Sequence, residues 1–470
     1  MSSRNSIFRH PRRSAVPNPD AGAPRRPLRK RVLHLAVGGV LAASAPFQHA
    51  SAQSIGELKN QIDALQHKLE EIEKNQNASA AESQRKITEI EKRTSPEKIV
   101  TAGDTPGSFK LPGVDTSVLL YGYVKLDAVY SNPAAVGANN AGNLFLSAQT
   151  IPIGPARDFE KSELTFGAQQ SRFGLSTYTP TTLGPLTTQI ETDFYGGNGN
   201  QVVSNSYNLR LRLAWGTVGG FGAGQYWTNF MNTAALPDLL DFGGPVGQIF
   251  VRQSQVRWTQ KFDNGEWAVS AENPESVIAT PGNPVTFQAD DDRWPDLVGS
   301  VKFSTGTGQF YVAALARNVR VNTAATASDK WGLSLQASGR VPVFGGDDIR
   351  FAAYGGNSIG RYQSGFYVDG VVDTAGNVEL PSVIGGYVGY RHLWTDTLRS
   401  TLSASASRAN NPAGTFGTVN QSDASAHVNL IWSPWKKVDL GVEYIYAKRE
   451  IENGQTGALN RLQFGAKYDF

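Results

Sequence analysis

The chain has 470 residues, with 44 Lys plus Arg against 41 Asp plus Glu, 49 Gly and no Cys. This length suits two or three soluble domains or one large β-barrel, and the near-neutral charge argues against nucleic-acid binding. The lack of Cys excludes disulfide scaffolds and thiolate chemistry, and outside the N-terminus no apolar run approaches the roughly 18 residues of a membrane-spanning helix.

Residues 1–52 have the pattern of a secretory signal, which predicts a cleaved leader. A basic stretch at 25–31 precedes an apolar segment at 32–45, and residues 50–52 form an Ala-Ser-Ala cleavage pattern. The apolar segment is too short to span a bilayer. Because the leader holds nine basic residues and one acidic residue, cleavage leaves 35 basic and 40 acidic residues, a net charge of −5.

Residues 53–95 are predicted to form a coiled coil. Six apolar residues follow the 3-4 spacing of heptad a and d positions, with polar residues between them. A seam this narrow suits a partner helix, although a single amphipathic helix lying on its own domain is the alternative. The seam consists of Ile55, Leu58, Ile62, Leu65, Leu69 and Ile72. Pro and Gly in residues 96–115 then mark a flexible linker.

From residue 116 to residue 470 the hydrophobic period changes to two, which indicates β-strands. Sixteen segments alternate in this way, and their connections are mostly long and short in turn. Outer-membrane barrels have long loops at the cell surface and short turns in the periplasm. The sequence therefore predicts an all-β fold, a 16-stranded antiparallel transmembrane β-barrel preceded by a short N-terminal periplasmic coiled-coil helix. Its location would be the outer membrane of a Gram-negative bacterium.

The last segment ends on an aromatic residue, as the assembly signal of outer-membrane barrels does. Tyr468 and Phe470 lie on its outward face. This ending predicts the barrel-assembly machinery as a partner, and the outer face predicts contact with membrane lipid and lipopolysaccharide.

A barrel of this size is too wide for its own side chains to fill, so it leaves an aqueous channel. The alternation assigns several basic and amide side chains to the lumen, and the basic ones cluster on the fourth and sixth segments. Such a cluster attracts anions. The alternative interpretation is that these side chains form an ordinary solvated wall without selectivity. The predicted lining residues are Arg210, Arg212, Gln253, Gln255, Arg257, Lys261, Lys302, Arg317, Arg350 and Arg399.

The same alternation assigns outward positions to the apolar residues of the fourth segment. These are Leu209, Leu211, Leu213 and Trp215. In the second segment the parity changes between Phe166 and Phe173, so its register is undetermined.

Segment 229–249 is too apolar and too rich in Gly and Pro for a solvated surface loop. We expect it to fold into the pore and constrict it. Asp238 and Asp241 would then face the basic wall, and acid opposite base would create a transverse field that orients dipolar solutes.

Four stretches resemble the DcaP-like family of outer-membrane porins. They read Arg-Phe-Gly-Leu at 172–175, Ile-Glu-Thr-Asp-Phe-Tyr-Gly-Gly at 190–197, Gly-Gln-Tyr-Trp-Thr-Asn-Phe-Met at 224–231, and Asp-Phe-Gly-Gly-Pro followed by Phe-Val-Arg-Gln within 241–253. The resemblance implies a homotrimeric porin for small anionic solutes, notably dicarboxylates and aromatic acids. It also implies a periplasmic coiled coil, and adds Arg252 to the candidate lining residues.

Two other functions compete with an anion porin. Ser425 and His427 share one face, as in barrel hydrolases, but that face should point into the lumen and no acid is evidently paired with them. We therefore predict no enzymatic activity, no metal and no cofactor. The second alternative is an outer-membrane anchoring protein with a weakly selective pore, whose coiled coil would reach peptidoglycan.

Overall fold

The computed structural model describes residues 55–93, 100–135, 144–154, 161–197, 203–283, 286–289, 292–322, 327–363 and 366–470. The predicted leader at 1–52 lies outside the described residues. The chain divides into an N-terminal unit that ends at Ile87 and a second unit that begins at Thr88.

One long helix, α1, spans Ile55–Arg93. Its apolar seam is exposed, with Leu65 63% and Leu69 58% accessible to solvent. For the seam residues Ile55 and Leu58, the structure describes the backbone but not the side chains. A helix in water gains most of its stability from packing of an apolar face, so this seam is suited to a partner helix. Among the described helices, none has both the length and the hydropathy that crossing a membrane requires.

Sixteen antiparallel strands close into a barrel, which confirms the predicted fold class. The second strand is split in two, and the last strand closes the barrel by pairing with the first, from Asn460 opposite Asn132 to Asp469 opposite Tyr123. In chain order the strands are β1 Ser117–Asn132, β2 Glu163–Gly167 with Arg172–Thr179, β3 Leu186–Asp193, β4 Arg210–Val218, β5 Phe221–Trp227, β6 Arg252–Phe262, β7 Gly265–Glu272, β8 Asp296–Thr305, β9 Gly308–Asn322, β10 Ala327–Pro342, β11 Asp348–Gly356, β12 Ser382–Leu393, β13 Leu398–Asn410, β14 Asn420–Trp432, β15 Val438–Ile451 and β16 Thr456–Asp469.

An interruption in β2 explains the parity change seen in the sequence. Both pieces of β2 pair with β1, and residues 168–171 between them leave the ladder. The Ser171 hydroxyl fills the gap, because its oxygen accepts from Lys125 N at 3.0 Å and donates to Lys125 O at 3.2 Å.

A bulge in β4 overturns part of the predicted alternation. The pairing with β3 shifts register between Glu191 and Thr192, so an extra residue enters β4. Leu211 remains on the outside, but Leu213 is only 4% exposed and faces the lumen with Trp215. The prediction that Leu213 and Trp215 face outward is therefore wrong.

Long connections lie at one end of the barrel and short turns at the other, and we call these ends extracellular and periplasmic as in other outer-membrane barrels. Three long connections fold into the barrel and supply its hydrophobic core. Ile151, Phe230, Val246 and Tyr362 are buried there against inward-facing strand residues. A barrel this wide has volume that strand side chains cannot fill, and the inserted loops occupy much of it.

Two of the long connections also form a small extracellular sheet. Its strands are Ser276–Ala279, Phe287–Ala289, Gly370–Val372 and Val378–Glu379. At the N-terminal edge of the barrel, Phe109–Lys110 pairs with Ser117 and Val118 of β1.

Candidate functional site

The connection between β5 and β6, residues 228–251, crosses the lumen and narrows it; we call it the constriction loop. Its backbone is held by side chains of the opposite wall. Leu240 N donates to Glu443 Oε2 at 2.6 Å, and Val246 N donates to Ser425 Oγ at 3.3 Å. These bonds join positions far apart in sequence, so the loop is fixed across the barrel.

The two acidic residues of the constriction loop form their ion pairs away from the basic wall of β4 and β6. Asp238 pairs with Arg399 at 2.8 Å. Asp241 accepts from Leu146 N at 2.9 Å and lies 3.4 Å from Arg461, where it is buried. Both carboxylates are thus neutralised by cations of β13 and β16. The expected transverse field between loop acids and the β4–β6 wall is contradicted, because these acids fasten the loop.

An acid does pair with His427, contrary to the sequence-based expectation. Ser425 Oγ lies 3.0 Å from His427 Nε2, and His427 Nδ1 lies 3.0 Å from Glu443 Oε1. All three side chains are buried, and Ser425 Oγ also accepts from the constriction loop. The group resembles a hydrolase triad in geometry, but here it supports the loop and presents no open nucleophile.

Two arginines of β4 form a dense ion-pair network with two acids of β3. Arg210 binds both oxygens of Asp193, through Nε at 3.0 Å and Nη2 at 2.8 Å. Arg212 contacts Glu191 at 2.7 Å and Asp193 at 2.9 Å. The β4 bulge leaves Arg212 on the same side as Arg210 and brings Leu213 to that side as well.

Two further arginines leave this cluster with excess positive charge. Arg172 of β2 lies 3.5 Å from Glu191. Arg252 of β6 forms no ion pair in the described part of the chain, and its Nη1 is buried without a hydrogen-bond partner. Four guanidinium groups therefore face two carboxylates, Glu191 and Asp193, for a net charge of +2.

Aromatic rings surround the arginine cluster. The ring centroid of Phe242 lies 5.3 Å from that of Tyr195 and 5.8 Å from that of Phe250. The Phe250 centroid lies 4.8 Å from that of Trp227. The Arg252 guanidinium stands 5.0 Å above Trp227, a cation–π contact. Burial raises the pKa of the Tyr195 phenol well above its usual value, so this ring adds no negative charge.

Two cavities meet at Phe242 and Phe250 of the constriction loop. The upper cavity, of about 410 Å³, opens on the extracellular side, and the lower one, of about 310 Å³, lies below it. The upper cavity is bounded by Phe145, Arg210, Arg252, Arg361, Phe366 and Asp423. The residues that bound the lower cavity include Gln170, Arg172, Glu191, Arg212, Leu236, Pro237 and Asp241. Arginines thus follow both sides of the aromatic constriction.

Several other predicted lining residues of β6 lie deeper in the wall. Gln253 donates to Glu272 and Tyr362, and Gln255 donates to Trp227 O at 3.0 Å. Arg257 donates to the same carbonyl at 2.7 Å. Gln255 and Arg257 thus hold the end of β5, where the constriction loop begins, whereas Lys261 is exposed near the periplasmic end.

The remaining predicted cations are paired away from the β4–β6 cluster. Lys302 contacts Glu266 at 2.5 Å. Arg317 is 1% exposed between Asp296 and Asp369, beneath the inserted loop, so the expectation that it lines the pore is wrong. Arg350 binds Asp348 at the periplasmic end.

Sequence reasoning missed some residues that complete the site. Arg172 and Tyr195 lie inside the porin-like stretches but were not assigned to the lumen. Phe242 and Phe250 come from the constriction loop, whose path no alternation reveals. Arg361 comes from a second inserted loop, where it pairs with Asp296 at 3.1 Å. In the described residues no group of three His, Cys, Asp or Glu is arranged to hold a metal ion.

Comparisons with known proteins agree with this architecture. The profile of the family described as "Porin subfamily" matches residues 103–464. The outer membrane channel DcaP of Acinetobacter baumannii is similar, at 25% identity and a TM-score of 0.67 over 79% of this chain and 100% of that one. The anion-selective porin from Comamonas acidovorans is 13% identical, with a TM-score of 0.46 over 76% of this chain and 100% of that one. No curated protein sequence matches the chain.

Proposed function

The chain belongs to the porin subfamily, as a DcaP-like porin of a Gram-negative outer membrane, and from that premise we propose that it conducts small anionic solutes in preference to cations. One observation carries this proposal: among the described residues Arg252 has no ion-pair partner, and its cluster has two more guanidinium groups than carboxylates. In a narrow low-dielectric passage, excess charge of one sign raises the local concentration of the opposite ion.

The chemistry of the cluster favours carboxylates. A guanidinium group donates two parallel hydrogen bonds to one carboxylate, and four such groups line the path on both sides of the constriction. Aromatic rings beside them suit the apolar part of a solute. Dicarboxylates and aromatic carboxylates combine these features, and we propose them as the solute class.

The test is the reversal potential of the purified protein in a planar bilayer under a potassium chloride gradient. We expect chloride to be preferred. Arg252→Gln should lower the chloride-to-potassium permeability ratio by about twofold to threefold, because it removes the unpaired charge. Lys302→Gln is the matched control, since that lumen cation already has Glu266 as a partner.

A potassium preference in the unsubstituted protein would refute the anion proposal. Equal changes in both variants would show that Arg252 has no special part in selectivity. A reversal potential near zero would instead favour the alternative function, outer-membrane anchoring with a general, weakly selective pore.

We propose further that the protein is a homotrimer, joined through the wall beside the interrupted strand β2. An outer-surface cleft of about 610 Å³ lies there, between the apolar Leu126, Phe166 and Phe194. Residues 168–171 have left the sheet ladder at this place. Lipid offers no hydrogen-bond partners to irregular backbone, whereas a second copy of the chain does.

We propose three further partners. At the C-terminus, Phe470 N donates to Gly122 O at 3.0 Å, beside the closing pair of strands. Tyr468 and Phe470 both expose about half of their surface outward, as a signal for the barrel-assembly machinery would. Lipopolysaccharide would contact the outer face of the barrel, and peptidoglycan would bind the coiled coil.

A further inference from the structure

A second arginine cluster lies at the periplasmic end of the lumen, on β10, β11 and β12. Three guanidinium groups converge on one carboxylate, that of Asp348. Arg350 Nε lies 2.7 Å from Oδ1, while Arg340 Nη2 and Arg391 Nη2 lie 3.0 Å and 2.5 Å from Oδ2. Only Arg350 among these three was predicted from the sequence.

This cluster has more positive charge than its carboxylate can balance, and the excess does not stabilise the sheet. Arg340 and Arg350 are direct cross-strand partners, and like charges directly opposite each other destabilise a sheet. One carboxylate balances one of the three charges, so two remain in excess. By contrast, the neighbouring Arg399 is balanced by Asp238 and Asp439.

Two of the arginines also have hydrogen-bonding capacity left. Arg391 Nε is buried and has no partner in the described structure. Arg340 is 43% exposed, and its ion pair is with Asp348 alone among the described residues. Its side chain can therefore turn towards a solute while Asp348 keeps Arg350 in place.

The position of the cluster connects it to the permeation path. Arg350 Nη1 donates to Leu236 O of the constriction loop at 2.7 Å. Leu236 and Pro237 form part of the boundary of the lower cavity, which also contains Arg172 and Arg212. The cluster therefore adjoins the part of the constriction loop that bounds the lower cavity on its periplasmic side.

We propose that Arg340, Arg350 and Arg391 form a second binding site for carboxylate solutes, at the periplasmic exit of the channel. The site rests on the anion function proposed above and adds a separate station to it. Conduction needs sites that attract a solute without retaining it, and two moderate sites in series meet this need better than one strong site.

The experiment compares the two sides of a bilayer that contains the full-length protein in one known orientation. Succinate is added to one side at a time, and the rate of current blocks is counted. Arg340→Gln with Arg391→Gln should lower the periplasmic rate by about fivefold and change the extracellular rate by less than about twofold. Lys302→Gln, the control, should change neither rate.

Unit conductance in potassium chloride and heat-modifiable migration on gels report whether the variants fold. Should the glutamine variant not fold, Arg340→Lys with Arg391→Lys keeps the charge but removes the planar fork. It should then lower the periplasmic rate by about twofold to threefold, through the lost bidentate contacts.

An unchanged periplasmic rate, or an equal fall on both sides, would overturn the second site. These outcomes leave chloride preference in the unsubstituted protein intact. Loss of that preference is a different result, which refutes the proposed function itself.

Discussion

At the scale of single residues, Glu443 determines how the constriction loop is held. Its Oε1 pairs with His427, and its Oε2 accepts from Leu240 N of the loop and from Asn429 Nδ2 at 3.1 Å. The side chain is fully buried. An acid in this position accepts from three donors at once. Its removal takes away the partner of Leu240 N and of His427 Nδ1, while Asn429 Nδ2 keeps its bond to Asp238 O at 2.9 Å.

We therefore expect Glu443→Ala to loosen the constriction loop. A buried donor left unsatisfied costs about 1–3 kcal/mol, which is enough to populate detached loop conformations. Single-channel recordings should show a larger mean conductance and more frequent flicker than the unsubstituted protein. Glu266→Ala removes a lumen acid whose ion pair, within the part of the chain that the structure describes, is with Lys302, and it should leave the conductance trace steady. Identical traces for both variants would contradict the assigned role.

The turn between β10 and β11 contains a carboxylate, that of Asp347, which is held by hydrogen bonds from β12. Asp347 accepts hydrogen bonds from the Tyr390 hydroxyl, His392 Nδ1 and Leu393 N, which hold the pKa of its carboxyl at about 2. Since this value lies below the ordinary pKa of Asp, about 3.9, the interaction stabilises the fold above that pH. The contribution is lost as the pH falls towards 2.

Asp347→Asn should accordingly lower resistance to urea at pH 7, and the difference should vanish near pH 2. Urea unfolding followed by tryptophan fluorescence at several pH values measures it. A difference that stays constant from pH 7 to pH 2 would show that charge is not involved.

At the scale of elements, helix α1 presents an apolar seam with no cover from its own described unit. Leu65 lies in the seam, and His67 lies two positions later on the opposite side. Because the chain has no Cys, a single introduced Cys reports unambiguously on pairing between copies.

We expect Leu65→Cys to form a disulfide between two copies under oxidising conditions, since a and d residues of a coiled coil meet their counterparts. His67→Cys should not, because it points away from the seam. Non-reducing gels of the full-length protein distinguish the two. Equal cross-linking of both variants, or none in either, would mean that the helices do not pair through this seam.

The bulge in β4 is the other element that shapes the site. Without it Arg210 and Arg212 would still share a face, but Leu213 and Trp215 would lie outside. With it, Trp215 enters the lumen and stands 5.7 Å from the Arg257 guanidinium. A bulge therefore places aromatic and cationic groups side by side in one wall.

At the scale of the whole molecule, the inserted loops displace the channel to one side. The constriction loop and the loop around Tyr362 pack against residues of β8, β9, β11, β12, β13, β15 and β16. Both cavities are bounded on the other side by β2 to β6. The open path is therefore much narrower than the barrel. The few charged residues that line the two cavities determine its net charge.

The proposed trimer interface lies at the outer cleft beside β2. Phe166 beside the outer cleft and Leu335 on β10 are similarly exposed, at 59% and 57%. Phe166→Glu should convert trimers to monomers, because it places a charge in the proposed interface, whereas Leu335→Glu should leave trimers intact. Light scattering coupled to size exclusion in detergent measures the mass. Dissociation by both substitutions, or by neither, would contradict an interface at Phe166.

Prediction from the sequence succeeded where the signal is periodic. The alternation found each of the sixteen strands, because lipid on one side and water on the other impose a period of two along every strand. It failed at Leu213 and Trp215, because one inserted residue reverses the parity without any change in composition. It also failed to pair Glu443 with His427, since the two residues lie on neighbouring strands.

The sequence by itself determined the barrel, the seam of α1 and the basic character of β4 and β6, since each is a local pattern. Only the tertiary structure decided which cations remain unpaired. Asp241 and Arg461 are 220 residues apart and contact each other, as do Asp238 and Arg399. The net charge of a lumen depends on ion pairs between residues that are distant in sequence. Arg252 differs from the other cations because no described carboxylate pairs with it. The sequence of β6 alone does not predict this difference.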